Sequence, residues 1–137
     1  MPVVREQILS AITTLVGGEY GVPAPESERD LPITIVQDTP DERADDTYHH
    51  TRLLMPVAIA KAVEATSRDP DAMRSQAHDL LSDIIATMFA DETFGALADG
   101  LEYSGGGIQT EVGKFVFAEA QFVVRYHHVR GDATQIN

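Results

Sequence analysis

Two adjacent histidine pairs, His49-His50 and His127-His128, are the residues best suited to chemistry in this 137-residue chain. Imidazole binds divalent metals and exchanges protons near neutral pH, so paired histidines raise the possibility of a metal site. Both pairs fall in segments of strand character, where successive side chains point to opposite faces. At most one ring of each pair can then reach a common point. Were the two strands neighbours, a two-histidine site completed by Asp46 or Asp132 would be conceivable. Surface or interface histidines are the commoner outcome, and no metal ligand is assigned. His78 has Asp79 and Asp83 nearby but no H-E-x-x-H pattern, so it reads as solvated.

Other signals are weaker. Gly105-Gly106-Gly107 has no Walker lysine and no G-x-G-x-x-G spacing, so it reads as a bulge or flexible hairpin. None of the serines lies in a G-x-S-x-G elbow. The run from Asp38 to Asp46 resembles a calcium loop only in composition. It lacks the alternating ligands, central glycine and terminal glutamate of an EF-hand. Nothing here points to an enzyme or to a bound cofactor. Asp38, Asp41, Glu42, Asp45 and Asp46 are read as a solvated or partner-binding acidic loop.

The elements that position these residues follow from periodicity. A helix is predicted over Pro2–Val16, with Val4, Ile8, Ala11, Ile12 and Leu15 on one face and Gly17-Gly18 as its stop. A Pro/Gly-containing loop runs from Glu19 to Asp30. Leu31–Gln37 reads as a strand, and the polar connection 38–46 after it is expected to be mobile. Tyr48–Val63 reads as a long strand, with Leu53, Met55, Val57 and Ile59 on one face and Leu54, Ala58, Ala60 and Ala62 on the other. Pro56 within it suggests a bulge or an edge position. Asp69-Pro70 opens the clearest helix, whose stripe is Met73, Ala77, Leu80, Leu81, Ile84, Ile85 and Met88.

The last third is β-structure. Leu101–Ile108 is a weak strand, and Glu111–Gly113 a turn. Lys114–Val129 is a long strand whose even positions, Val116 to Tyr126, would face the core. Its odd face carries Phe115, Phe117, Glu119, Gln121, Val123, Arg125 and His127, a mixed set suited to solvent or a partner. The expected fold is α+β in the order α-β-β-α-β-β, an antiparallel-rich mixed sheet with two helices on one face. One domain spanning 1–137 is expected, ending in a short polar tail over 131–137.

Composition narrows the classes of partner. Ten Lys and Arg against 22 Asp and Glu leave a net charge of −12, and the cations are scattered, which disfavours direct nucleic-acid recognition. With no cysteine, disulfide and thiolate chemistry are excluded. The longest apolar stretch, Leu53–Val63, is too short to span a bilayer of about 30 Å. The N-terminus lacks the apolar core of a secretory signal, so cytoplasmic synthesis is the simplest expectation.

The order of elements and the closing run Phe122-Val123-Val124-Arg125-Tyr126-His127-His128-Val129-Arg130-Gly131-Asp132 resemble bacteriophage tail terminators of the minor tail protein U type. Ala133 follows Gly-Asp where relatives often carry proline. The resemblance implies a non-enzymatic virion protein, made in the bacterial cytoplasm, that caps the tail tube as a homohexameric ring. It implies contacts with the tail tube protein and with a head-completion or connector protein. DNA would pass through the ring as cargo, and an acidic channel would let it slide without sticking. Neck and tail-completion proteins share much of the same pattern, and a small metal- or ligand-binding domain is the reading from another class.

Overall fold

The computed structural model of the protein describes residues 2–21, 32–111 and 114–137. Helix α1 spans Val4–Val16 and buries Val4, Ile8 and Ile12, one residue per turn along a single stripe. It ends where Gly17 turns left-handed at φ 66° and donates its N–H to the carbonyls of Thr13 and Thr14. Helix α2 spans Pro70–Phe89. The Asp69 carboxylate accepts from the Ala72 N–H at 3.2 Å, and Pro70 occupies the first turn, where no N–H is needed. Both helices therefore begin and end close to where the sequence places them. Neither described helix is long and apolar enough to cross a membrane.

Among the described residues, six strands form one mixed, mostly antiparallel sheet: β1 (Glu19–Tyr20), β2 (Ile33–Asp38), β3 (Glu42–Asp46), β4 (His50–Glu64), β5 (Gly100–Glu111) and β6 (Phe115–Val129). Their order is β1-β2-β4-β6-β5, with β3 also paired to β4; the β1–β2 contact is parallel and the other four are antiparallel. The α+β expectation holds, with two short strands added to the expected order. The expected strand start at Leu31 and most of the expected turn at Glu111–Gly113 lie outside the described residues.

The acidic segment differs from expectation. Asp38 closes β2, and Glu42–Asp46 is a strand antiparallel to β4, pairing Glu42 with Leu54 and Asp46 with Thr51. Only residues 39–41 are left as a connection. β2 and β3 thus lie end to end along one side of β4, while β6 pairs the other side from His50 to Glu64. β4 supplies so long an edge that even a low-propensity Glu-Arg-Ala-Asp-Asp segment pairs with it, because tertiary context overrides strand propensity.

Pro56 is not in an edge strand and its pairing with β6 shows no bulge, but on its other side it falls in the break between the β3 and β2 ladders, which end at Leu54 and Val57. The missing N–H is accommodated by its neighbour instead. The Pro56 carbonyl accepts from Thr39 N at 3.1 Å, so its nitrogen side faces the gap between β2 and β3. A proline in a central strand is tolerated where the partner's ladder is already broken.

One apolar cluster joins Val4, Ile8 and Ile12 of α1 and the α2 stripe to Val36, Met55, Val57, Ile59 and the even positions of β6. Both helices therefore pack on the same sheet face. Val116, Ala118, Ala120, Phe122, Val124 and Tyr126 are all buried, as alternation along β6 predicts. The segment 131–137 is tied back: Val4 N donates to Ala133 O at 2.8 Å, and Ile136 packs against the cluster.

Candidate interaction surface

The second face of the sheet carries no helix among the described residues. Cross-strand register places Leu54, Pro56, Ala58, Ala60 and Ala62 of β4 beside Arg125, Val123, Gln121, Glu119 and Phe117 of β6. Phe115, Phe117 and Val123 are half-buried there and Gln121 is exposed. Ile33 and Ile35 of β2 continue the stripe, with Ile33 opposite Ala62 and Ile35 opposite Ala60. The β4 row of this face is thus apolar and built mostly from small side chains, while Glu119, Gln121 and Arg125 make the neighbouring β6 row mixed. β5 bounds it as an edge strand.

The triple glycine lies in β5, where the pairing with β6 shifts between Tyr103 and Gly105, a bulge as anticipated. Gly106 is required for close approach. A Cβ there would sit 2.8 Å from the Glu119 carbonyl oxygen and 2.6 Å from the Tyr103 hydroxyl. Backbone packing therefore accounts for this glycine.

At one end of the open face lies a cleft of about 600 Å³, lined by Asp45, His50, Arg52, Asp99, Arg125 and His127 over Leu53 and Leu54. Arg52 stands directly opposite His127, and Arg125 opposite Leu54, so the two arginines are diagonal neighbours on one face. Asp45 holds Arg52 at 3.6 Å, and Glu102 holds Arg125 at 3.6 Å. His127 Nδ1 lies 2.8 Å from both Asp99 oxygens. Of the two histidine pairs, the structure brings together His50 and His127, whose rings meet edge to face at 4.9 Å.

The third partner of these histidines is Asp99, not Asp46 or Asp132. Asp46 bonds Arg43, and Asp132 accepts from Thr134. Among the described residues, no group of three or more His, Asp or Glu side chains is placed to hold a metal ion. Asp99 carried no signal in the sequence. Its place depends on the turn 91–99, where Phe94 is buried with φ 49° and Asp99 N donates to Arg125 O at 2.7 Å.

The acidic candidates divide into two groups. Glu42, Asp45 and Asp46 lie exposed on β3. Asp38 and Asp41 are instead consumed within the chain, on the helix side of the sheet. Arg5 of α1 reaches both: NH1 pairs with Asp38, Nε donates to Asp41 Oδ1 at 3.0 Å, and NH2 donates to the Thr39 carbonyl at 2.7 Å. Tyr20 donates its hydroxyl to Asp38, and Tyr126 donates to Asp41 Oδ2 at 2.6 Å.

Electrostatics follow from these contacts. Burial alone would raise the Asp38 pKa, but hydrogen bonds from Tyr20 and Arg5 outweigh it and hold the carboxyl below its ordinary value. Burial would lower Arg5, yet its bonds to Asp41 and Asp38 leave it raised. Burial and the bond to Asp41 both push the Tyr126 phenol upward.

No protein-family model matches this chain, and no curated protein matches it. Among solved structures, a chain described as "Virion of native gene transfer agent (GTA) particle" aligns over 91% of this chain and 92% of that chain. The alignment has 16% identity and a TM-score of 0.39, too low a superposition to assign a shared fold.

Proposed function

We propose that this protein is a structural component of a phage-like virion, assembling as a ring that caps the tail tube. In this reading it ends tube elongation and forms the surface on which the head connector docks. DNA passes through the ring without being bound, in keeping with a net charge of −12. Support comes from the order of elements and from the aromatic-rich closing strand, which resemble those of tail terminators.

The observation that carries the reading is the asymmetry of the sheet. Helices cover one face, while the other presents the half-buried stripe of Pro56, Ala58, Ala60 and Val123. A closed ring requires two different patches on each subunit, and two unlike faces meet that requirement. Exposed apolar stripes rimmed by polar groups are typical of protein contacts.

Light scattering and negative-stain imaging of the purified protein, alone and with tail-tube ends, test this. A ring is expected. A strictly single-subunit species, even with tube ends present, would overturn the reading. A ring that binds a head-completion protein but never tube ends would instead identify a neck protein of the same architecture.

The cleft at His50 and His127 favours a second reading, a small ligand-binding domain. Elemental analysis and thermal melts with divalent ions address it, and an unshifted melt without bound metal rejects the metal version.

A further inference from the structure

Resting on the ring reading above, we infer that the ring contact seats the Asp79–Asp83 edge of helix α2 of one copy on the Arg52–Arg125 cleft of the next. The contact is heterologous, and its two halves lie on opposite sides of the same sheet. A head-to-tail ring uses two different patches on each copy, and these two are different.

Charge complementarity selects the occupant. In a chain of net charge −12, a self-contact must set its few cations against its own acids. Arg52 and Arg125 are adjacent on the open face, with side-chain exposures of 56% and 51%. Their pairs with Asp45 and Glu102 are loose, at 3.6 Å. Each guanidinium carries five donors, so most remain available to an incoming carboxylate.

Helix α2 offers the matching half. Asp79 and Asp83 are exposed, four residues apart, and lie off the buried stripe of Met73, Ala77, Leu80 and Ile84, Asp83 on its flank where it shares a small pocket with Lys61 and Thr34. Neither has an ion-pair partner among the described residues. Four residues of helix rise about 6 Å. Diagonal cross-strand neighbours such as Arg52 and Arg125 stand about 7 Å apart. Two carboxylates therefore meet two guanidiniums at the same spacing.

Steric fit agrees. Ser75, Ser82 and Ala86 are exposed within one turn of the two aspartates, and Pro56 lies next along the open face from Leu54, the residue opposite Arg125. Small side chains on both halves allow a helix to approach the sheet closely.

Reciprocal charge reversal tests the contact. One variant carries Arg52→Glu with Arg125→Glu, and the other carries Asp79→Arg with Asp83→Arg. Each alone sets like charges at every contact of its own ring and is expected to lose assembly by roughly tenfold or more. An equimolar mixture alternates the variants around an even-membered ring and restores opposite charges at every contact, so rings should return. Circular dichroism and restoration by mixing show that both variants fold.

Rings formed by either variant alone, or no rescue in the mixture of folded variants, would overturn this contact while leaving the ring reading intact if the native chain assembles. A native chain that stays single at every concentration, with tube ends present, overturns the ring reading and this contact together.

Discussion

The Tyr126 hydroxyl donates to Asp41 at 2.6 Å across a sequence separation of 85 residues, joining the end of β6 to the gap between β2 and β3. Tyr126 is 2% exposed, so its hydroxyl requires a partner in the interior. Asp41 in turn holds Arg5 of α1, and one carboxylate thus ties the helix layer to two parts of the sheet. Hydrogen bonds to charged groups contribute about 1.5–3 kcal/mol. Tyr126→Phe should therefore lower the unfolding free energy by about 2 kcal/mol in a urea titration. A loss below about 0.5 kcal/mol, the scatter of surface substitutions, would show that Arg5 alone secures Asp41.

Acid should loosen the same corner. The folded-state pKa of Asp38 is lowered, with burial opposed by the bonds from Tyr20 and Arg5. Such a group contributes stability that is present above its unfolded pKa, about 4, and lost as pH falls through the lower folded value. Thermal midpoints should decline from about pH 4 downward, and Asp38→Asn should flatten part of that decline. Identical acid limbs in the two proteins would remove Asp38 from the account.

The turn after α2 holds a correctable strain. Phe94, Gly95 and Ala96 have φ of 49°, 71° and 68°, three left-handed residues in a row, of which one is glycine. Left-handed geometry costs a residue with a Cβ about 1–2 kcal/mol, partly offset by the greater unfolded-state freedom of glycine. Ala96 is exposed, so Ala96→Gly removes no buried contact and should raise stability by about 0.5 kcal/mol. Gly95→Ala should lower it by about 1 kcal/mol. Chemical denaturation of the pair checks the opposite signs, and a common sign would contradict the strain.

The open sheet face should matter for assembly and little for folding. Val123 is half-buried on that face, opposite Pro56 and away from the apolar cluster. Val123→Glu is expected to change subunit stability by less than about 1 kcal/mol while abolishing rings. Circular dichroism with light scattering separates the two effects. Intact rings from this variant would place the contact elsewhere.

Much of the scaffold was legible from local pattern. Asp69-Pro70 and the Met73–Met88 stripe specify α2 because capping and the 3.6-residue period act within a few residues. Alternation from Val116 to Tyr126 specified which side of β6 is buried, since a strand's side chains have a period of two. Gly17 marked the end of α1, where the chain turns left-handed.

The acidic segment was not legible in the same way. Glu42–Asp46 has the composition of a loop and becomes β3 only because β4 extends past β2 with an edge to pair. Asp38 and Asp41 resemble Asp45 and Asp46 in sequence, but Arg5 of α1 selects the first two and leaves the others on the exposed strand.

Local pattern specified both helices, the long strands, the buried faces of the helices and of β6, and the strong negative charge, because these depend on neighbours a few residues apart. Strand register and helix placement set the meeting of His127 with Asp99 and His50, the position of Arg52 beside Arg125, and the role of Asp38 and Asp41 as internal anchors. Each of these depends on relations across tens of residues, which local periodicity does not encode.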